Sequence, residues 1–224
     1  HLVLVQPSVY GSDNALMLAA LARQPGRHRG VVVLAPTLEG AAPEAELDTM
    51  HTLGVRGVRF NLVSPAGDVL PTLARWAALA PCLRARGWHV QWYARRSDLA
   101  AIAALHEGSG LVAVLDHLAG FTPGVPDKHP DWQAVQRLAG QGAWLKLSGW
   151  YRLDTSAPYA GLVPPVQRLA RLFGPRMVWG SDWPHTLFAP DALPAYASTW
   201  QPVVDALGQA AAQQLQRRVP DIYR

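Results

Sequence analysis

The stretch WGSDWPH at 179–185 sets an acid, Asp182, close to an imidazole, His185, where the chain has just left the apolar run Met177 to Trp179. A carboxylate at the mouth of a strand, buried enough to shift its proton affinity and near an imidazole from another strand, can act as general base toward a water. LDHLAG offers such an imidazole, with His117 directly after Asp116. Neighbouring strand residues face opposite ways, so only one of this pair is expected to point inward, and His117 is read as that one. Arg59 in VRFN is a charge inside a run that should be buried, which is costly unless the charge is used. Asn61 beside it, Gln91 and Tyr93 in WHVQWYA, Lys146 and Ser148 in WLKLSGW, and Arg152 just beyond add further polar groups, as do Gln6, Ser8 and Tyr10 after LVLVQPS.

Seven short β-rich apolar runs carry these residues, beginning at Leu2, Gly30, Val55, Trp88, Leu111, Ala143 and Arg176. Between them lie Ala- and Leu-rich stretches with helical spacing, such as ALMLAALARQ and LARWAALAPCLRARG, several of which close on Gly as helix C-termini do. Strands apolar on both faces and alternating with helices imply a parallel sheet covered by helices. An open doubly wound sheet gathers its chemistry near one switch point, whereas a barrel spreads it over the carboxyl ends of many strands. Here nearly every run ends in something reactive, and neither GxGxxG nor GxxxxGK[ST] occurs. The expected fold is therefore an α/β parallel barrel, with residues 1–224 as one domain.

Composition removes several other functions. With 50% hydrophobic and 16% charged residues the chain can bury a sizeable core. No apolar run reaches the roughly 18 residues of a membrane helix, LVLVQPS lacks the basic start of a signal peptide, and a cytoplasmic location is expected. The net charge of +4 comes from scattered residues without a nucleic-acid-binding module, so no nucleic-acid partner is expected. Cys82, the single cysteine, reads as a buried structural thiol. Arg56 is expected at the amino end of its strand, and His51, His89, His106 and His129 read as solvated or internally satisfied.

VRGVRFN, LDHLAG, KLSGWYRL and WGSDWPHT in that order, with QPSVYGSDN near the start, resemble the amidohydrolase superfamily, in the branch that contains 2-pyrone-4,6-dicarboxylate lactonase. The resemblance runs from about Leu2 to Tyr223. It implies a (β/α)8 TIM barrel whose last-strand aspartate, here Asp182, activates the hydrolytic water while His117 helps polarise the carbonyl. It also implies that Arg59, Tyr93 and Arg152 hold substrate carboxylates; Tyr10, Asn61, Ser148 and His185, from their places at the strand ends, are further substrate-binding candidates.

Departures from the family pattern shape the rest of the reading. The family's first strand carries an HxH pair, whereas His1 here immediately precedes what matches the second strand, so the first strand is expected to be missing from the chain. Basic residues that the pyrone-dicarboxylate enzyme has after two motifs are replaced by Ser64 and Pro65 and by Gly120 and Phe121. A smaller or less charged lactone is then the expected substrate, opened by an Asp-activated water. Catalytic zinc usually takes three protein ligands; only His117 and Asp182 match, so no obligatory metal is expected, although an upstream HxH would make a single Zn site possible. The alternatives are a metal-dependent decarboxylase on the same barrel and an inactive barrel that binds an anion.

Overall fold

Seven parallel strands pair in sequence order: β1 Val3–Val5, β2 Arg29–Val32, β3 Val55–Asn61, β4 His89–Tyr93, β5 Ala113–Leu115, β6 Trp144–Leu147 and β7 Met177–Trp179. The computed structural model describes residues 1–35, 44–64, 67–186, 188–217 and 220–224. Every expected apolar run coincides with one of these strands, β2 beginning one residue before its run. A sheet wound in one direction, with no reversal of strand order, has no switch point and curls toward a barrel. Residues of both edge strands, Val3 and Val5 on β1 and Val178 and Trp179 on β7, line one cavity, so the curl brings the edges round a common interior. No pairing joins β1 to β7 among the described residues.

Helices cover the outer face: α1 Ala15–Ala22, α2 Glu44–Leu53, α3 Leu73–Ala85, α4 Leu99–His106, α5 Asp131–Gly140, α6 Val163–Phe173, α7 Gln201–Leu207 and α8 Gln209–Arg217. Their starts and faces follow from the sequence. Thr72 caps α3 by accepting from the Arg75 amide at 3.2 Å, and α6 opens on Pro164 and Pro165 and buries Val166, Leu169 and Phe173 on one stripe. None of the described helices is long and apolar enough to cross a membrane.

Strand alternation divides the side chains into two cores. Val58, Phe60, Val90, Trp92, Leu115, Leu145 and Leu147 point outward into the large cluster beneath the helices. Val31, Val114, Trp144 and Val178 form a second cluster inside the curl with Ile222 and Tyr223. The parity that sends Val58 and Phe60 outward turns Arg59 inward, and likewise Gln91 between Val90 and Trp92, and Lys146 between Leu145 and Leu147. The polar residues of the strands thus gather in the barrel interior, above an apolar floor.

The chain's last residues close that floor. Arg29 Nε donates to the Tyr223 carbonyl at 2.8 Å and Arg56 Nε to the Arg224 carbonyl at 2.6 Å. Arg56 accordingly sits at the amino end of β3, away from the chemistry. His89, expected to be solvated or satisfied, is instead wholly buried edge-on to Tyr223 at 5.4 Å with neither ring nitrogen hydrogen-bonded among the described residues, and burial pushes its pKa down to about 4. Structural partners occupy His51, which accepts from Trp88 Nε1 at 3.0 Å, and His106, which accepts from Trp92 Nε1 at 2.9 Å. Cys82 is buried in α3.

Candidate active site

At the carboxyl ends of the strands lies a cavity of about 630 Å³ lined by Arg59, Tyr93, Asp116, His117, Lys146, Arg152 and Asp182 among others. Strand alternation alone would place His117 outward, since Asp116 follows the inward parity of Val114. The backbone overrides that rule. β5 ends at Leu115, and His117, Leu118 and Ala119 take left-handed conformations with φ of 48°, 53° and 52°. Three such residues in a row, none of them glycine, are costly and cluster at functional sites. Both Asp116 and His117 therefore reach the cavity, which corrects the expectation that only one of them could.

His117 is held on three sides. Its Nδ1 lies 2.9 Å from Ser148 Oγ, the Tyr93 ring meets it edge-on at 4.7 Å, and Gly149, with φ of 62°, passes so close that a Cβ there would stand 2.3 Å from Nδ1. Burial lowers its pKa, outweighing the opposing pull of Asp182 and Asp116, so the ring is neutral at pH 7.

Asp182 also has a positive φ, 57°, in the turn after β7. Outside the barrel, Trp179 Nε1 and Trp150 Nε1 both donate to the Thr199 carbonyl at 2.8 Å, pinning the ends of β7 and β6 to one point. The two oxygens of Asp182 have different surroundings. Oδ2 accepts from the Tyr151 hydroxyl at 2.6 Å and from Arg152 Nε at 2.8 Å, whereas Oδ1 faces His117 Nε2 across 3.7 Å. Burial alone would raise its pKa, but His117, Arg152 and the Tyr151 hydroxyl outweigh it and the net shift is downward. The carboxylate is thus ionised, with one oxygen clamped and the other open.

Deeper in the cavity, Asp116 is tied to three partners. Arg59 Nε donates to Oδ2 at 3.1 Å, Gln91 Nε2 reaches both oxygens at 2.9 and 3.0 Å, and Lys146 Nζ lies 3.1 Å from Oδ1. Burial opposes its ionisation, yet Lys146, Arg59 and His117 hold its pKa far below the usual carboxylate range. Arg59 also lies over the Tyr93 ring at 5.5 Å, and Arg152 over the same ring at 6.0 Å.

Of the residues expected to bind substrate, Arg59, Tyr93 and Arg152 line the cavity and four others do not. Asn61 turns its amide to Ser8 and to Ser64 Oγ, the latter at 2.9 Å, and so braces the loop after β3. Ser148 sits behind His117, and His185 lies behind Tyr151, with Nδ1 3.3 Å from the phenol oxygen. Tyr10 is half exposed on a single 3₁₀ turn outside the lining. Pro65 lies outside the described residues, while Gly120 packs against the Ala94 carbonyl and the Arg96 amide. Tyr151 was not among the expected polar groups, and Lys146 and Asp116, noted at their strand ends, had been given no role in the site. KLSGWYRL contained two of them, but strand parity says nothing about a hydroxyl beyond the strand that bonds to another loop. Among the described residues no group of three His, Cys, Asp or Glu side chains is set to hold a metal ion. With Oδ2 of Asp182 occupied by Arg152 and Tyr151, the donors present do not form a zinc site.

A barrel with reactive groups at its strand ends and an aspartate after the last strand defines a class, and the family comparison agrees: residues 1–219 match the Amidohydrolase family, to which this chain belongs. A 2-pyrone-4,6-dicarboxylate hydrolase from Comamonas testosteroni is 31% identical over 82% of the chain and 62% of its own length. A 4-sulfomuconolactone hydrolase from Rhizobium radiobacter is 27% identical over 86% of the chain and 64% of its own length. The chain thus spans less than two thirds of these curated relatives. A solved structure from Pseudomonas putida, described as a candidate 2-pyrone-4,6-dicarboxylic acid hydrolase, superposes with a TM-score of 0.82 at 33% identity, covering 95% of this chain and 77% of that one.

Proposed function

We propose that this protein is a hydrolase that opens the ring of a small carboxylated lactone with a water activated by Asp182. The observation that carries the reading is the asymmetry of that carboxylate: Oδ2 is fixed by Tyr151 and Arg152 while Oδ1 faces His117 Nε2 across 3.7 Å. A water at Oδ1 gives its proton to Asp182 as its oxygen bonds to the ring carbonyl carbon. With Ser148 Oγ donating to Nδ1, the neutral His117 ring carries its proton on Nε2 and donates to the developing oxyanion. Collapse of the tetrahedral intermediate breaks the bond to the ring oxygen, and Asp182 returns the proton to that leaving alkoxide. The products are one hydroxyl and one carboxylic acid, the sum is addition of one water, and the new acid then loses its proton to solvent.

Charge selects the substrate. Among the described residues, Arg59, Lys146 and Arg152 line the cavity with only Asp116 and Asp182 to balance them, which favours a lactone bearing a carboxylate. The names of the relatives, both hydrolases of anionic lactones, support that class. The proposal includes no obligatory metal, and turnover is expected to survive removal of divalent ions with a chelator.

A panel of anionic and neutral lactones, followed with a pH indicator because ring opening releases acid, tests the reading. At least one carboxylated lactone is expected to turn over, and Asp182→Asn is expected to lower kcat by about a thousandfold or more with little change in binding. A variant keeping above about a tenth of wild-type kcat would remove Asp182 from the mechanism. A purified protein that opens no member of the panel would support the inactive anion-binding barrel instead.

A further inference from the structure

We infer that Lys146 is a substrate-anchoring residue that, together with the outer nitrogens of Arg59, makes a two-point receptor for a carboxylate at the base of the cavity. The inference rests on the anionic-lactone reading and names the side chain that selects the charge. Asp116 already receives Arg59 Nε and both contacts from Gln91 Nε2. A buried carboxylate so supplied needs one cation for charge balance, yet Lys146 Nζ stands beside it as a second, 3.1 Å from Oδ1. Among the described residues the cluster of Arg59, Lys146 and Asp116 therefore holds one uncompensated positive charge, with all three side chains largely shielded from solvent. Such a charge is costly unless an anion arrives to pair with it.

Donor geometry points the same way. Among the described residues Lys146 makes an ion pair with Asp116 and no hydrogen bond, so its N–H groups are available to a ligand. Arg59 engages Asp116 through Nε alone, which leaves the outer edge of its guanidinium without a protein acceptor among the described residues. Both groups line the cavity. The outer guanidinium edge fits a carboxylate as a fork and the ammonium supplies a point charge beside it.

The fold also makes room for the lysine. Gly180, the first residue after β7, lies against its side chain: a Cβ there would come within 2.7 Å of Lys146 Cε. The absent side chain is the corridor through which the ammonium reaches the cavity.

Glutarate, a small dicarboxylate that cannot be hydrolysed, is the probe, titrated calorimetrically into wild type, Lys146→Met, Lys146→Arg, Gly180→Ala and the double variant Asp116→Asn with Lys146→Met. Expected results are a Kd for Lys146→Met raised about tenfold or more, Lys146→Arg within about threefold of wild type, and Gly180→Ala between them at unchanged Tm, since it displaces the ammonium without removing it. If Lys146 merely neutralised Asp116, removing both charges would restore binding; the anchoring role requires the double variant to stay weak. Wild type that fails to bind glutarate, Lys146→Met that binds like wild type, or a restored double variant would each overturn the inference. Glutarate binding needs no turnover, so Lys146-dependent binding without hydrolysis of any lactone would refute the lactonase reading alone. Lactone opening with Lys146-independent binding would refute this inference alone.

Discussion

Replacing Gly149 by alanine should separate the position of His117 from everything else about it. The new Cβ would stand 2.3 Å from Nδ1 and 2.8 Å from Cγ and Cε1 of His117, where ordinary contact needs about 3.5 Å. The imidazole must then move by about 1 Å, which breaks its 2.9 Å pairing with Ser148 Oγ and shifts Nε2 relative to Asp182 Oδ1. A misplacement of that size costs roughly a hundredfold in rate, or about 2.7 kcal/mol of barrier. Alanine at φ of 62° adds about 1–2 kcal/mol of backbone cost, expected to lower Tm by roughly 2–8 °C for a chain of this size. Gly174→Ala is the control for backbone cost without a clash, because nothing lies within 4 Å of the added Cβ; its φ of 55° with ψ of −123° is harder on alanine than the αL conformation of Gly149, so its Tm loss should be at least as large. It should show the Tm loss with normal kcat. Steady-state kinetics on the best lactone and a thermal melt of both variants read the two effects. A Gly149→Ala enzyme with kcat within about threefold of Gly174→Ala would refute the claim that His117 must sit where it does.

Further outcomes follow from the charges. Burial lowers the His117 pKa, and Arg152 lowers it further while also lowering that of Asp182. The acid limb of kcat/KM should thus lie below the ordinary histidine value of about 6.5, and Arg152→Met should move it upward; an unmoved limb would detach Arg152 from the pair. Asp116 has a folded pKa depressed below its unfolded value of about 3.9. Its contribution to stability is therefore present above the unfolded value and lost as pH falls toward the folded one. Tm should drop steeply below about pH 5 and less steeply in Asp116→Asn, and identical profiles would show that Asp116 does not drive acid unfolding.

How far the site could be read from the sequence was set by where the strands end. Up to Asn61, Tyr93, Leu115, Leu147 and Trp179, apolar runs marked each strand and period-two alternation turned Arg59 and Gln91 inward. Past those ends alternation no longer applies. Asp116 joined His117 because three left-handed residues turn the chain back, and LDHLAG gives no sign of that conformation, since Leu and Ala rarely adopt it. Arg152 was expected to hold a substrate carboxylate, yet its Nε is bonded to Asp182, a pairing between loops that follow different strands and that no local pattern encodes. Ser148, Asn61 and His185 were recognisable as polar groups near the right strand ends. That they support His117, a loop and Tyr151 depended on side-chain directions which only the folded chain supplies.

The central claim is that water attacks the ring carbonyl, and oxygen labelling tests it most directly. With the best lactone of the panel turned over once in H₂¹⁸O, the account expects one heavy oxygen in the new carboxylate and none in the new hydroxyl. Label in the hydroxyl, or ring opening with no label taken up, would contradict it.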